Sequence, residues 1–361
     1  MLHGNGMYEM QELQAGTAAG KQADRKGEAG FMMDYEIFKE VVKEKFLSYM
    51  SDSYQGMEVK ISPVEKVNRK LDGLSLLSND ERTTVSPTIY IDDMYKEYLK
   101  TGDLQAAIQN AAQTMDEGFR QAVLPPLDKS MAKDNIIFQL INTMQNEELL
   151  KNMPHREFQD LSIIYRWVVS VDERGISSSM INNKLAGELG MGEEQLFKTA
   201  AENTRRILPP VVKSMNEVMR DIFLADGMPP SVADLMIGEM PPQETLWVIS
   251  NECGVGGAAS MLYEDKLHKL AESLETDLFI MPSSVHEVIA VSVEMGEPEE
   301  LARMVSEINM DRVDLSERLS NQVYHYDKNL RKITLATDTP NKRLDGIVAE
   351  QRYVYETNQS R

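Results

Sequence analysis

With one cysteine in 361 residues, the sequence holds neither an intramolecular disulfide nor a cysteine-based zinc site. A thiol-poor chain fits a reducing compartment. Basic side chains are in deficit: 38 Lys and Arg stand against 58 Asp and Glu, for a formal net charge of −20 and a pI near 4.8. Such a chain repels phosphate backbones, and no Lys/Arg run provides a local basic face, so no nucleic-acid partner is expected. The acid-rich run Glu294–Glu317 reads as helix-surface carboxylates, with charge mimicry of DNA as the remote alternative. No apolar run reaches the roughly 18 residues of a membrane-spanning helix. The N-terminal stretch has no continuous apolar core of the signal-peptide kind. These absences lead to an expectation of a soluble, cytoplasmic protein without a membrane partner. His3, His155, His268, His286 and His325 show no HExxH-like spacing, so no metal and no cofactor is expected.

What is present is apolar and patterned. Hydrophobic residues make up 42% of the chain, enough for a sizeable core, and the length suggests two or three domains. Methionines are abundant, and their flexible thioethers suit irregular cores and adaptable surfaces alike. Residues 1–32 carry no period and are expected to be a disordered N-terminal extension, with Met32-Met33 as a plausible native start. Asp34 can cap a helix whose apolar face is Tyr35, Phe38, Val42, Phe46 and Tyr49. Residues 57–67 alternate as a strand in which Pro63 favours an edge or a break. Leu71–Ile91 reads as a hairpin about Ser78-Asn79-Asp80, followed by helices up to Pro125-Pro126. Residues 135–142 read as a buried strand, then a short helix at 146–153, then a hairpin over Ser162–Ile181 and helices up to Pro209-Pro210. A helix over Met215–Leu224 leads into a loop-rich junction. Trp247–Leu262, Asp277–Val293 and Gln322–Leu335 supply further strands, with helices at 264–274 and 297–309.

Parts of the chain repeat. SNDER at 78–82 matches SVDER at 170–174. Leu124–Met131 matches Leu208–Met215 around a shared Leu-Pro-Pro. Trp167-Val168-Val169-Ser170 matches Trp247-Val248-Ile249-Ser250, and Ser179-Met180-Ile181 matches Ser260-Met261-Leu262. The pattern is a hairpin plus a helix used three times. The pairs Asp92-Asp93, Asn182-Asn183 and Glu264-Asp265 fall at the strand–helix junctions, where they read as helix caps. The expected organisation is therefore a first module at 33–131, a second at 132–225, a Pro-rich junction at 226–243, a third module at 244–336 and a polar tail at 337–361. The fold class is α+β, three related β-hairpin–helix modules with antiparallel sheets and helices packed on one face.

Two polar clusters and one thiol are the candidates for chemistry. Cys253, in ECGVGG, is a candidate nucleophile with Gly254, Gly256 and Gly257 as an oxyanion pocket. The plainer reading is a turn whose glycines supply positive φ, with Cys253 at the repeat position of Glu81 and Glu173. The run lacks the Lys of a Walker phosphate loop and the spacing of a dinucleotide fingerprint. Ser283, Ser284, His286 and Glu287 have no counterpart in the other copies; they combine hydroxyls, an imidazole and a carboxylate able to bind a polar ligand or act as acid and base. The plainer reading is a Ser-capped turn. His155, Arg156 and Asp160 are ligand-binding candidates, with Arg156 and Asp160 expected as an i,i+4 pair on a helix turn.

The blocks PTIYIDDMYKEY, NMPHREFQDLSIIYRWVV, AAENTRRILP, GAASMLYEDKLHKLAESL and DLFIMPSSVHEVI resemble an uncharacterised bacterial family, a numbered domain of unknown function. The resemblance spans roughly residues 33–330 and leaves out both ends. It implies no activity. It draws attention to His155, Arg156, Ser283, Ser284, His286 and Glu287 without assigning them roles. The preferred reading is a soluble intracellular binding or regulatory protein without catalysis, its partner a protein or a small ligand. The alternative is a hydrolase or transferase using His286 and Glu287 with Ser283 or Cys253.

Overall fold

The computed structural model describes residues 32–77, 86–121, 133–172, 175–238, 241–339 and 343–345. The N-terminal extension, the turns holding Glu81 and Glu173, the Leu124–Met131 block and most of the polar tail lie outside the described residues. The chain divides into two compact units, one carrying the described residues 32–121 and the other the described residues 133–345.

In the first unit, Asp34 caps α1 (Tyr35–Lys45), its carboxylate accepting from the Ile37 N–H at 2.9 Å. Phe38 and Val42 of that helix and Phe46 just beyond it are fully buried, as the three-and-four spacing requires. β1 (Glu58–Lys66), β2 (Arg69–Leu77) and β3 (Thr88–Tyr90) form an antiparallel sheet in that order. Pro63 sits in edge strand β1, where a missing N–H costs no ladder bond. The β2–β3 pairing is present. A tighter hairpin joins β1 to β2 through Val67-Asn68, with Asn68 in the left-handed region at φ 62°. Asn tolerates that conformation better than most residues. α2 (Ile91–Thr101) and α3 (Leu104–Gln121) complete this core with Ile91, Met94, Ile108 and Met115 packed against Leu74 and Leu76.

The second unit holds two antiparallel sheets. β4 (Ile136–Asn142) is buried at every position and pairs with the long β6 (Leu161–Asp172). The other edge of β6 is shared: β5 (His155–Phe158) takes its first residues and β7 (Gly175–Met180) the rest. After the short α4 (Glu147–Leu150), α5 (Asn183–Leu189) and α6 (Glu193–Ile207) follow in sequence, α6 lying on β4. The second sheet runs β13-β12-β10-β11-β9-β8, from β8 (Pro210–Ser214), β9 (Trp247–Asn251), β10 (Leu278–Met281), β11 (Val288–Ser292), β12 (Tyr324–Asp327) and β13 (Lys332–Leu335). One hydrophobic cluster joins Ile136, Tyr165 and Trp167 of the first sheet to Ile249, Leu278 and Tyr324 of the second. The remaining helices are α7 (Met215–Ala225), α8 (Pro230–Ile237), α9 (Glu264–Leu274) and α10 (Pro298–Arg312). The architecture is α+β with antiparallel sheets.

Several local expectations need correction. The junction read as loop contains α8, and the Pro209-Pro210 stop is followed at once by strand β8. Trp247–Leu262 is not a hairpin: β9 gives way to a 3₁₀ helix over Gly257–Leu262. Of the three capping pairs only Asn182 caps, accepting from the Leu185 N–H at 2.8 Å. Asp92 lies within the first turn of α2 and reaches back to the Asp72 N–H at 2.9 Å. Asp93 pairs with Lys96 at 3.0 Å. Glu264 opens α9 but bonds to side chains rather than to the helix. These carboxylates still favour the helix starts through the positive end of the dipole.

Candidate functional site

Residues 282–287 connect β10 to β11, and two segments knit them in place. On one side runs 314–320. There the Val285 N–H donates to the Glu317 carbonyl at 2.8 Å, the Leu319 N–H to the Ser283 carbonyl at 2.9 Å and the Ser320 N–H to the Pro282 carbonyl at 2.8 Å. On the other side is the Gly-rich turn after β9. The Ser250 hydroxyl donates to the His286 carbonyl at 2.8 Å, and the Ala258 N–H to the Val285 carbonyl at 3.2 Å. Gly254 and Gly256 have φ of 67° and 63°, as the turn reading requires. Gly257 does something else. A Cβ there would lie 2.1 Å from the Ser250 hydroxyl oxygen and 2.5 Å from the His286 carbonyl oxygen. Its missing side chain is what lets the two loops touch. The Gly-rich turn that carries Cys253 and the Ser-Ser-Val-His-Glu turn thus form one structure.

The polar side chains of this structure are turned inward. His286 is 8% exposed. Its Nδ1 accepts the Gly256 N–H at 3.3 Å, so the neutral ring keeps its proton on Nε2. Nε2 is buried, has no hydrogen-bond partner among the described residues, and lies 3.6 Å from Oε1 of Glu317. The Ser284 hydroxyl accepts the His286 N–H at 3.0 Å, and Ser284 forms an isolated bridge with Arg318. Ser283 is half-buried with its carbonyl pinned by Leu319. Burial pushes the Glu287 carboxyl above the usual range; nearby Glu317 adds to that and His286 opposes it. Cys253 is exposed at the turn, its N–H donated to the Asn251 carboxamide oxygen at 3.0 Å. Ser284, His286 and Glu317 therefore share one locality, while Cys253 sits on its outer rim.

The second cluster is not the helical pair expected, and its Asp160 reaches the segment beside the first cluster through Ser320. Arg156 lies in β5 and Asp160 in the turn before β6, so the i,i+4 geometry does not arise. Arg156 grips Glu193 with two bonds of 2.9 Å, reaches Glu194 at 2.5 Å and stacks 3.9 Å from the Phe197 ring centroid. Tyr165 adds a bond to Glu193 at 2.5 Å. The Arg156 bonds hold the Glu193 carboxyl below its ordinary value, and burial pushes the Tyr165 hydroxyl up. Asp160 accepts from Tyr324 and from the Ser320 hydroxyl at 2.6 Å. His155 is half-buried, its Nδ1 2.9 Å from the Met153 carbonyl. Arg156 and Asp160 thus link separate elements, while His155 lies against the carbonyl two residues before it.

The sequence reading missed an equivalent tie in the second sheet. Glu264, first residue of α9, accepts two bonds from Arg331 at 2.6 and 2.7 Å and one from Tyr326 at 2.6 Å. It repeats the Arg156–Glu193–Tyr165 arrangement, with the glutamate again opening a helix. No spacing in the sequence marks either tie, because each joins residues from separate elements. Among the described residues no group of three or more His, Cys, Asp and Glu side chains is placed to hold a metal ion, and no helix is long and apolar enough to cross a membrane.

Fold and site define an α+β protein of antiparallel sheets whose most polar turn is locked by hydrogen bonds to the chain itself. Residues 35–328 match the family of unknown function DUF5688, and the chain belongs to that family. No curated protein and no solved structure matches the chain.

Proposed function

We propose that this is a soluble, intracellular binding or regulatory protein that works without catalysis, its partner another protein or a small ligand. The supporting observation is the spending of the polar groups at 283–287. His286 uses Nδ1 on the Gly256 N–H, and its buried Nε2 lies 3.6 Å from Glu317 without a hydrogen bond, so neither ring nitrogen is bonded to a serine or cysteine among the described residues. The Ser284 hydroxyl is spent on the His286 N–H. Cytoplasmic location follows in this reading from the lone cysteine and the acidic composition, and the net charge of −20 argues against a nucleic-acid partner. The three related sections of sequence belong to the same reading, as copies of one unit, supported by the shared Leu-Pro-Pro and Trp-Val blocks.

The competing hydrolase or transferase reading is tested by labelling the full chain with a fluorophosphonate probe and with iodoacetamide. We expect no fluorophosphonate adduct at Ser283 or Ser284. Cys253 is expected to alkylate at the rate of an ordinary exposed thiol, unchanged in His286→Gln. Serine labelling, or a thiol rate that depends on His286, overturns the non-catalytic reading.

A further inference from the structure

The apolar side chains of the second unit are mostly covered, but Met219 of α7 and Val232, Leu235 and Met236 of α8 are exposed, while Val218, Ile222, Phe223 and Leu224 of α7 are half-buried. α7, MNEVMRDIFLA, is largely apolar and has no buried residue. In α8, PSVADLMI, only Ala233 is buried. Leu235 is 82% exposed and Met236 62%. Isolated exposed apolar residues are ordinary, but Val232, Leu235 and Met236 recur at spacings of three and four on α8, with the exposed Met219 on the adjoining α7, and such a stripe marks an interaction surface. The helices are built to stay in place without help. Ser214 and Glu217 form a capping box at the start of α7, and Arg220 ties α7 to Asp234 of α8 at 2.7 Å.

Charge selects the occupant. Between residues 214 and 246 the sequence has one basic residue, Arg220, against Glu217, Asp221, Asp226, Asp234, Glu239 and Glu244. Arg220 is already engaged with Asp234, and the preceding Lys213 with Asp221 at 2.7 Å. Glu217 is taken up by the cap of α7, so Asp226 and Glu244 are the exposed acids left on this rim among the described residues, and the segment has no cation to spare. A second copy of this chain would bring the same rim and a net charge of −20. Anionic membranes are repelled for the same reason. Methionines at 215, 219, 228 and 236 supply polarisable side chains that adapt to more than one apolar shape.

We infer that the α7–α8 pair is a docking surface for a basic amphipathic helix of a partner protein. Its apolar face lies on Leu235 and Met236 and its Lys or Arg residues face the acidic rim. This deepens the non-catalytic reading and rests on it. The probe is a fluorescein-labelled Leu/Lys amphipathic peptide of about five helical turns, titrated into the full chain by anisotropy. A scrambled peptide of the same composition and a Leu/Glu counterpart serve as comparators. Leu235→Asp and Met236→Asp are the variants; both sites are exposed, and circular dichroism melts verify the fold.

We expect the Leu/Lys peptide to bind, more weakly as salt is raised, and to lose more than about tenfold in affinity in either variant. That loss runs against the added negative charge, so general attraction to an acidic protein does not imitate it. Both comparator peptides should be weaker by a similar factor. Unchanged affinity in the folded variants, or equal binding of the scrambled or Leu/Glu peptide, overturns the inference. So does a concentration-dependent dimer that Leu235→Asp abolishes, which would make a second copy the occupant. Failure here leaves the labelling result at Ser283 and Cys253 untouched, so the two readings fall separately.

Discussion

From Trp167 the chain continues along β6, turns and returns as β7. From Trp247 it makes the five residues of β9 and then coils into a 3₁₀ helix. The two stretches share sequence at both ends and differ in the middle. β6 has β4 on one edge and room on the other for β5 and β7 in succession. β9 has both edges taken, by β8 and β11. A returning strand would have no ladder to join, so the second limb compacts instead, with Gly257-Ala258-Ala259 pressed against the strand it follows. The helix starts differ likewise. Asn182 caps α5, whereas Glu264 at the matching position anchors Arg331 and Tyr326. Available sheet edges, more than local sequence, decided which of the two stretches became a hairpin.

The comparison breaks most severely at Gly257. Gly257→Ala drives a methyl group into Ser250 and the His286 carbonyl, and is expected to cost about 3 kcal/mol or more. Chemical denaturation reads the loss, and Ala at the unobstructed Gly187 is the control. The two helix anchors come next. Tyr326→Phe removes a buried hydroxyl from Glu264 and is expected to cost about 1–1.5 kcal/mol. Asn182→Ala removes a cap and is expected to cost about 0.5–1 kcal/mol, with Asn182→Asp restoring most of it. Equal losses at Gly257 and Gly187 would show that the close approach is not what shapes the stretch after β9.

The smallest effect has the opposite sign. Because burial raises the Glu287 carboxyl, the folded state holds that proton more tightly than the unfolded chain. Ionised Glu287 therefore disfavours the fold above its raised pKa, and the penalty vanishes as pH falls below the unfolded value of about 4.3. Glu287→Gln should raise the melting temperature by about 2 °C at neutral pH and leave it unchanged near pH 3.5. A gain that persists in acid would assign the effect to packing. At the alkaline end, burial lifts the hydroxyls of Tyr165, Tyr324 and Tyr326 and pushes that of Tyr263 to about 12. The folded state thus holds these protons longer than the unfolded chain. Stability should fall as pH rises past about 10, with a slope exceeding that of a single proton.

Much of the local structure was legible. The Asp34 cap, the Phe38–Val42–Phe46 stripe, the edge position of Pro63, the buried β4 and the β6–β7 hairpin follow from spacing and residue type. The glycine turn at 254–256 was legible for the same reason. The candidate site was legible only as a list of polar residues. Arg156 was read against Asp160 because they are four apart, yet its partner Glu193 lies 37 residues on. Glu317 and Gly257 went unremarked as parts of the His286 environment, since nothing in their own neighbourhoods announces them.

The sequence by itself determined many of the stretches that coil or extend, though not β8, α8 or the 3₁₀ turn at Gly257–Leu262, because caps, turn residues and apolar periods act over a few residues at most. It also determined the acidity and lone thiol that bound the choice of partner. The tertiary structure alone decided which strand edges remained open after β8 and β11 had paired with β9. It alone decided that Arg156 and Arg331 each clamp a helix-opening glutamate, and that Leu235 and Met236 of α8 stay exposed. Those outcomes depend on contacts between residues far apart in the chain. Such contacts exist only once the sheets have assembled and excluded the alternatives.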